Sequence, residues 1–439
     1  MVQSRAAVRA AGRRLWRRGA RGVRSTVARR PALLTYLAIL GPGMIAANAG
    51  NDAGGIATFA SVGADYGYNL LWVLVPITIS LGIVQEMCAR MGAVTGKGLA
   101  DLIRERFGVR WTALVMLALL IANGGVTVSE FIGIAAATEL FGVPRYVSVP
   151  LAAATVWWLV VKGSYKRVER VFLLMSLVFL GYIVSAFMAR PAWGEVARAL
   201  VRPGFRFDAA YLFTFVAVVG TTISPYMQVF VQSSVVEKGV TAEDYPLTRA
   251  DVWVGTVFAI LVVFFILVST AAVLHTHGVH IETAGDAARS LEPLAGRYAS
   301  VLFAVGLFGA SMLAAGVLPL ATAYSISEAL GFEKGVSRSF REAPIFIGIF
   351  TFLVVVGALV AIIPGLPLIR ALLVTQVING LLLPVTLFAI LRLINDRELM
   401  GGHTNGPAYN AAAWLTALVV SALSLLFILS QIFPGLLRR

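Results

Sequence analysis

The chain has 439 residues, of which 59% are hydrophobic and 13% charged. Soluble domains carry about 25% charged residues. A chain this poor in charge cannot dress a soluble globule of its size, and its mean hydropathy of +0.84 agrees. A soluble enzyme, a disordered protein and a disulfide scaffold are thereby excluded. The formal net charge is +14, from 36 Lys and Arg against 22 Asp and Glu. In a soluble protein that excess would suggest nucleic acid. In a membrane protein it is a topology signal, so no nucleic-acid partner is expected. The single cysteine, Cys88, lies in an apolar run. It allows no intrachain disulfide and argues against a cysteine-based metal site.

Residues 1–31 carry ten Arg and no acid. This tail reads as a disordered or membrane-surface segment, cytoplasmic by its charge. The apolar run after it is too long for the core of a cleaved signal peptide. Eleven apolar segments follow, near 33–50 (continuing in 54–64), 68–89, 111–141, 146–161, 171–189, 209–235, 252–274, 299–330, 344–363, 367–391 and 411–433. A helical span needs about 20 apolar residues, so the expected fold is all-α and polytopic, with about 11 transmembrane helices. With the N-terminus inside, 26 of the 36 Lys and Arg fall on inner segments and 9 on outer ones, Arg370 lying at the start of span 10. The positive-inside rule then orients the chain in a cell (plasma) membrane with its N-terminus in and its C-terminus out. The loop at 190–206, with four Arg, runs against the rule.

Two of the eleven spans are interrupted. The first reads Gly41-Pro42-Gly43-Met44-Ile45-Ala46-Ala47-Asn48-Ala49-Gly50-Asn51-Asp52-Ala53-Gly54-Gly55, with a carboxylate at mid-membrane. The second reads Val219-Gly220-Thr221-Thr222-Ile223-Ser224-Pro225-Tyr226. Pro225 has no N–H, so a carbonyl is freed about one turn earlier, near Thr221. Broken backbone at membrane depth is tolerated only against protein or a water-filled cavity. Freed carbonyls beside a carboxylate make an all-oxygen cation site. The breaks fall in spans 1 and 6, so each opens a five-span unit. Interrupted spans at corresponding places in two halves point to the binding site of a transporter built from inverted repeats. The competing reading is that Gly50-x-x-x-Gly54 is merely a close-packing motif. Asp52 favours the site, because an ionised carboxylate at that depth needs a cation or a proton.

Several runs resemble the Nramp family of divalent-metal transporters. They are Gly41-Pro42-Gly43 through Gly67-Tyr68-Asn69-Leu70-Leu71-Trp72-Val73-Leu74, and Gln85-Glu86-Met87-Cys88-Ala89-Arg90-Met91-Gly92 through Ala100. Further on come Ser129-Glu130-Phe131-Ile132-Gly133, Leu140-Phe141-Gly142-Val143-Pro144, Gln376-Val377-Ile378-Asn379-Gly380 and Asn395-Asp396-Arg397-Glu398-Leu399-Met400-Gly401. The order matches the family across most of residues 34–402. The resemblance implies the LeuT-like fold of two inverted five-helix repeats with discontinuous helices 1 and 6. The repeats would occupy 32–205 and 206–392, with 393–439 as a loop and an added helix 11. It implies transport of Mn²⁺, Fe²⁺ and similar ions, usually with protons, and no resident cofactor or enzymatic activity.

The resemblance also assigns the site. The family's Asp-Pro-Gly-Asn of helix 1 is Asp52-Ala53-Gly54-Gly55 here, and its Met-Pro-His of helix 6 is Ser224-Pro225-Tyr226. The metal-binding Asp is kept as Asp52, the binding Asn becomes Gly55, and the thioether becomes Ser224. The carbonyl ligands map to Ala49 and Thr221, and Gln376 is the helix-10 residue that approaches the metal; Thr222 would add a hydroxyl. Without the thioether, which selects softer ions, the candidate metal ligands Asp52, Ala49, Thr221 and Ser224 are all oxygen donors. The shortened side chains suggest a roomier site, suited to Mg²⁺ that keeps some of its waters. The pattern is similar to the Nramp-related magnesium transporters, so Mg²⁺ is favoured with Mn²⁺ as co-substrate.

The proton route is altered as well. The family's helix-6 His is Tyr226, whose ordinary pKa of about 10 keeps it neutral, and an acid three residues before Glu130 is Thr127. Glu130 remains as the one candidate acid, with Gln228 and Gln232 as possible pathway residues. Transport without obligatory proton coupling is expected.

The weaker signals read structurally. His275, His277 and His280 suggest a solvated loop more than a zinc site. Glu86 and Arg90, four apart, suggest a local ion pair. Glu328 and Asp251 are expected to snorkel to water at inner span ends. Trp157 and Trp158 pack or anchor at an interface. Two rivals stand beside the metal transporter. One is a sodium-coupled transporter of an organic solute on the same fold, which Asp52 disfavours for an anionic substrate. The other is a membrane enzyme, for which no intramembrane catalytic set is present.

Overall fold

The structure is a computed structural model. It describes residues 41–433 apart from 164–166, 168–169, 172–173, 175–179, 207, 292–295, 297–298, 337 and 365–367. The arginine-rich tail and part of the fifth apolar segment lie outside the described residues. No strand occurs among those described. In a chain that must satisfy every backbone N–H and C=O without water, helices meet that demand within each segment.

The first span is two helices, α1 (Pro42–Ala49) and α2 (Ala53–Tyr66). Span 2 is a 3-10 turn over Leu71–Val73 leading into α3 (Leu74–Thr95). Span 3 is α4 (Leu99–Glu139), broken at Gly108, whose φ of 76° only glycine adopts freely. Its first nine residues precede the apolar segment at 111–141 and form a helix whose first turn carries Asp101. Span 4 is α5 (Arg145–Lys162), and α6 (Leu180–Met188) is the described end of span 5. A short helix α7 (Trp193–Val201) lies in the Arg-rich 190–206 connection.

Span 6 is again two helices, α8 (Ala209–Thr222) and α9 (Pro225–Glu237). The rest are α10 (Tyr245–Val273), α11 (Ala299–Leu330), α12 (Pro344–Ala361), α13 (Leu368–Ile394) and α14 (Pro407–Ile432). Among the described residues, eight helical stretches are long and apolar enough to cross a membrane. The interrupted first span, α5 with its terminal cations, and the partly described fifth segment fall outside that set.

Packing follows the repeat. The second half of span 1, α2, lies on span 7 (α10), and the matching half of span 6, α9, lies on span 2 (α3). Spans 3 and 8, α4 and α11, share the most extensive interface. Exchanging the two repeats preserves these relations. Glycines let the backbones meet: a Cβ on Gly255 would stand 2.7 Å from Met44 Cα, and one on Gly43 would stand 2.7 Å from Val252 Cα. Small residues at helix contacts replace the hydrophobic drive that lipid removes.

Two buried acids do not snorkel as expected. Asp251 accepts from Gly43 N at 2.7 Å and Met44 N at 3.3 Å, so it caps the start of α1. Glu328 accepts from Ser233 Oγ on α9 at 2.6 Å and from Ala100 N on α4 at 3.3 Å, with Lys334 Nζ at 3.2 Å. Helix starts leave orphan N–H groups that must find acceptors when buried. That need outweighs escape to water. Asp251→Ala should therefore lower stability by about 1–3 kcal/mol through two unpaired N–H groups. A thermal melt in detergent reads this, and an unchanged midpoint would show that water replaces the carboxylate.

Glu86 and Arg90 do pair, at 3.2 Å. Arg90 also donates to the His403 and Thr404 carbonyls, and Asn405 Oδ1 receives it at 2.5 Å. The pair thus anchors the 401–407 connection to α3. At the other end, the three histidines diverge. His275 Nδ1 bonds the Ala64 carbonyl at 2.8 Å, His277 Nδ1 bonds its own helix at Val273 O, and His280 Nδ1 pairs with Asp65 at 2.7 Å. The Asp65 carboxylate raises the His280 pKa above its ordinary value. Trp157 packs, donating to Thr351 Oγ1, whereas Trp158 is exposed.

Candidate metal site

Asp52 sits between α1 and α2 as the N-cap of α2. One carboxylate oxygen, Oδ1, accepts from Gly55 N at 2.5 Å. The other, Oδ2, is buried and makes no hydrogen bond; the Tyr226 hydroxyl and the Gln376 amide lie near the carboxyl group. Glu130 reaches the same helix start from α4, its Oε2 accepting from Ala53 N at 3.1 Å. Two carboxylates therefore face the positive end of α2, where anionic groups are stabilised. Glu130 is fully buried and also meets Ser129 Oγ at 3.4 Å.

The second break mirrors the first. Thr222 ends α8, Ile223 leaves the helical region, and Pro225 opens α9 at the position where a missing N–H does least harm. Two hydroxyls address the carbonyls around the breaks. Tyr226 Oη donates to Ala49 O at 2.8 Å. Ser224 Oγ donates to Gly220 O at 2.6 Å and to Thr221 O at 3.2 Å. Each carbonyl keeps a second lone pair, so the hydroxyls position the oxygens without exhausting them. Thr222 Oγ1 bonds Val218 O, and Thr127 Oγ1 bonds Asn123 O, so both hydroxyls serve their own helices.

Gln376 arrives from α13. Its Nε2 is buried without a hydrogen bond, and its side chain lies against Gly54, where a Cβ would collide with it. Asn379, one turn on, donates to Gln376 Oε1 at 3.3 Å and approaches Ser224 Oγ at 3.5 Å. Thr221 Oγ1 and Asn379 Oδ1 are buried without hydrogen bonds. So are both amide atoms of Gln228, and Gln232 instead donates to Lys97 O at 2.9 Å.

The expected extra room at Gly55 is taken up in this conformation. A Cβ there would stand 2.5 Å from Gly50 O, 3.1 Å from Thr221 Oγ1 and 3.2 Å from Asp52 Oδ1. The two breaks close in on the glycine rather than leaving a void. Asp52, Gly55, Thr221 and Gln376 are thus brought together, with the Ala49 carbonyl and Ser224 tied in through hydroxyl contacts. Thr127 turns its methyl toward Gly357 of α12, and Gln228 makes no hydrogen bond to this group. Two neighbours of the breaks were missed. Asn379 was readable as an amide three residues after Gln376 in an apolar span. Met227, pressed against Gly50, carried no sequence signal.

Two interrupted helices crossing within a bundle of long apolar ones, with a buried carboxylate at the crossing, define a multi-pass membrane protein of the LeuT-like transporter architecture. The family model described as Natural resistance-associated macrophage protein-like (Nramp) matches residues 43–430. The chain belongs to the Nramp family. It is 32% identical to the divalent metal cation transporter MntH of Ralstonia nicotianae, over 94% of this chain and 96% of that protein. The corresponding protein of Deinococcus radiodurans is 27% identical, over 88% of each. Among solved structures, the manganese transporter of Eremococcus coleocola superposes with a TM-score of 0.72 at 22% identity, covering 92% of this chain and 89% of that one. A nucleobase-cation-symport-1 family transporter shares the fold more distantly, with a TM-score of 0.54 at 14% identity, covering 90% and 93%.

Proposed function

We propose that this protein carries divalent metal cations across the plasma membrane by alternating access, Mg²⁺ foremost and Mn²⁺ alongside it. The reading rests first on Asp52. It is a buried carboxylate at a helix break with one oxygen free of hydrogen bonds; the Thr221 hydroxyl shares the space at Gly55 with it, and Tyr226 ties the Ala49 carbonyl to the second break. Its relatives are named as divalent metal cation transporters, and none of that naming implies enzymatic chemistry. The candidate ligands Asp52, Ala49 O, Thr221 O and Ser224 are oxygen donors, which favours hard ions. The two repeats, 32–205 and 206–392, would rock about the breaks, with the N-terminus cytoplasmic and the C-terminus outside.

Proton coupling is not required by this reading. The Tyr226 hydroxyl is engaged by Ala49 O and the Thr127 hydroxyl by its own helix. Glu130 is held by Ala53 N as a cap, which gives it a structural role. In proteoliposomes with a pH reporter inside and the voltage clamped at zero, Mg²⁺ and Mn²⁺ should both accumulate while the internal pH stays flat. Metal-dependent acidification would show a coupled mechanism of the ordinary Nramp kind, with Glu130 as the first residue to test.

A further inference from the structure

We propose that α7 and the arginines around it form a docking site for the headgroup of an anionic phospholipid. The proposal is independent of the ion carried and needs only that the chain spans a membrane.

The connection between spans 5 and 6 carries Arg190, Arg198, Arg202 and Arg206 against one acid, Glu195, over residues 189–206. All four arginines are exposed. Among the described residues, none of them pairs with a carboxylate. Arg198 turns back on its own helix, Nε donating to Gly194 O at 3.1 Å. Such a cluster repels the dications that a site at Asp52 would gather, so the cation route does not account for it. In the orientation proposed above, it also lies on the side where basic residues are disfavoured.

The helix that carries the cluster is amphipathic and seated on one side. It packs on the 3-10 turn that opens span 2, with Val196 buried and Leu200 half-buried. Trp193 is 40% exposed and Val201 77% exposed. Arg198 and Val201, three apart, are neighbours on the helix surface. Phe187, at the end of α6, is exposed too, and its ring centroid lies 5.2 Å from that of Trp193. Uncovered aromatic and aliphatic side chains bordered by arginines suit a segment lying at headgroup level. The same end of the bundle gathers Tyr66 and Tyr211, with ring centroids 5.6 Å apart, as aromatic residues do at a membrane interface.

The turn after α7 is fixed at both ends. The Gly204 carbonyl accepts from Trp72 Nε1 at 3.1 Å and from Tyr211 Oη at 2.7 Å. Asp208 then caps α8, accepting from Tyr211 N at 2.8 Å. Arg202 and Arg206 thus flank an anchored turn. A guanidinium offers its fork of N–H donors to two phosphate oxygens at once. Acyl chains beneath the headgroup would cover Trp193 and Val201. Phosphatidylglycerol brings the net negative charge that this patch complements, and zwitterionic phosphatidylcholine does not.

The experiment uses the full-length protein in proteoliposomes containing a photoreactive phosphatidylglycerol, with the label mapped by peptide mass spectrometry. Wild type should be labelled within residues 187–206, and unlabelled phosphatidylglycerol should compete where phosphatidylcholine does not. Arg198→Gln combined with Arg202→Gln should weaken phosphatidylglycerol binding at this segment about 25-fold, about fivefold for each arginine near an anionic surface. Arg110→Gln combined with Arg341→Gln removes the same charge from exposed positions elsewhere in the chain, and should leave that binding unchanged. The patch arginines are exposed, so their loss disturbs no packing; should the variant misfold, the wild-type label map and its headgroup preference decide alone. No label at 187–206, equal competition by phosphatidylcholine, or equal loss in the two double variants overturns the inference and leaves the transporter reading standing.

Discussion

Asp52→Asn should abolish divalent uptake while leaving the fold intact. The carboxylate does two things that this substitution separates. Oδ1 caps α2 by accepting from Gly55 N, and an Asn carbonyl oxygen can do the same, since Asn ranks with Asp as an N-cap. Oδ2 faces the space between the breaks without a hydrogen bond, and its negative charge is what a dication would require there. Removing one partner of a buried charge pair costs about 3 kcal/mol or more, on the order of a hundredfold in affinity. Uptake of Mg²⁺ and Mn²⁺ into proteoliposomes should therefore vanish together, with a thermal midpoint close to wild type. Asp52→Ala is the contrast. It loses the charge and the cap, so its midpoint should fall by an amount set by about 1 kcal/mol. If Asp52→Asn transports normally, the residue is only a helix cap and the site must be sought elsewhere.

Much of this arrangement was legible in the sequence because the membrane simplifies the code. Long apolar runs must be helices, so the order of spans followed directly. The two breaks were legible because a carboxylate at membrane depth, Asp52, needs a counter-charge or a proton and Pro225 frees a carbonyl, each within an apolar stretch at a corresponding place in the two halves. The structure ends α1 at Ala49 and restarts the chain at Ala53, and it ends α8 at Thr222 and restarts at Pro225. What stayed hidden was where side chains turn. Nothing in the pattern says that Tyr226 donates to the Ala49 carbonyl, a partner far away in the chain. Nor does it say that Asp251 and Glu328 face inward to helix starts. Acids near span ends snorkel or cap depending on whether a buried N–H lies within reach, and that is set by tertiary packing. The size of the site was misjudged for a related reason. Deleting a side chain enlarges a cavity only if the backbone stays in place. At Gly55 the Gly50 carbonyl, the Thr221 hydroxyl and the Asp52 carboxylate stand where a side chain would begin.

The same close approach makes Gly220→Ala the most damaging small substitution to expect. Gly220 lies in the last turn of α8, beside Gly380 of α13. A Cβ on Gly220 would collide with the Gln376 carbonyl oxygen and stand 2.5 Å from Gly380 N and 2.9 Å from Gly380 Cα. All three are backbone atoms in helices, so no rotamer change relieves the contact. The reverse contact is also tight, with a Cβ on Gly380 standing 2.6 Å from Val216 O. The two helices must separate, and overpacking of this kind costs about 1–3 kcal/mol or more. Separation draws Gln376 away from Gly54 and Thr221 away from Gly55, which opens the contacts that gather around Asp52. Gly220→Ala should lower the thermal midpoint and reduce uptake by at least about tenfold even at temperatures where the protein stays folded. Gly50→Ala is the matched control. Its new Cβ also collides, but with the end methyl of Met227, a flexible side chain that can swing aside. A smaller loss of stability in Gly50→Ala than in Gly220→Ala, measured side by side, would show that backbone contact between α8 and α13 holds the site together. Equal losses would mean that the packing at Met227 is as unyielding as a helix backbone.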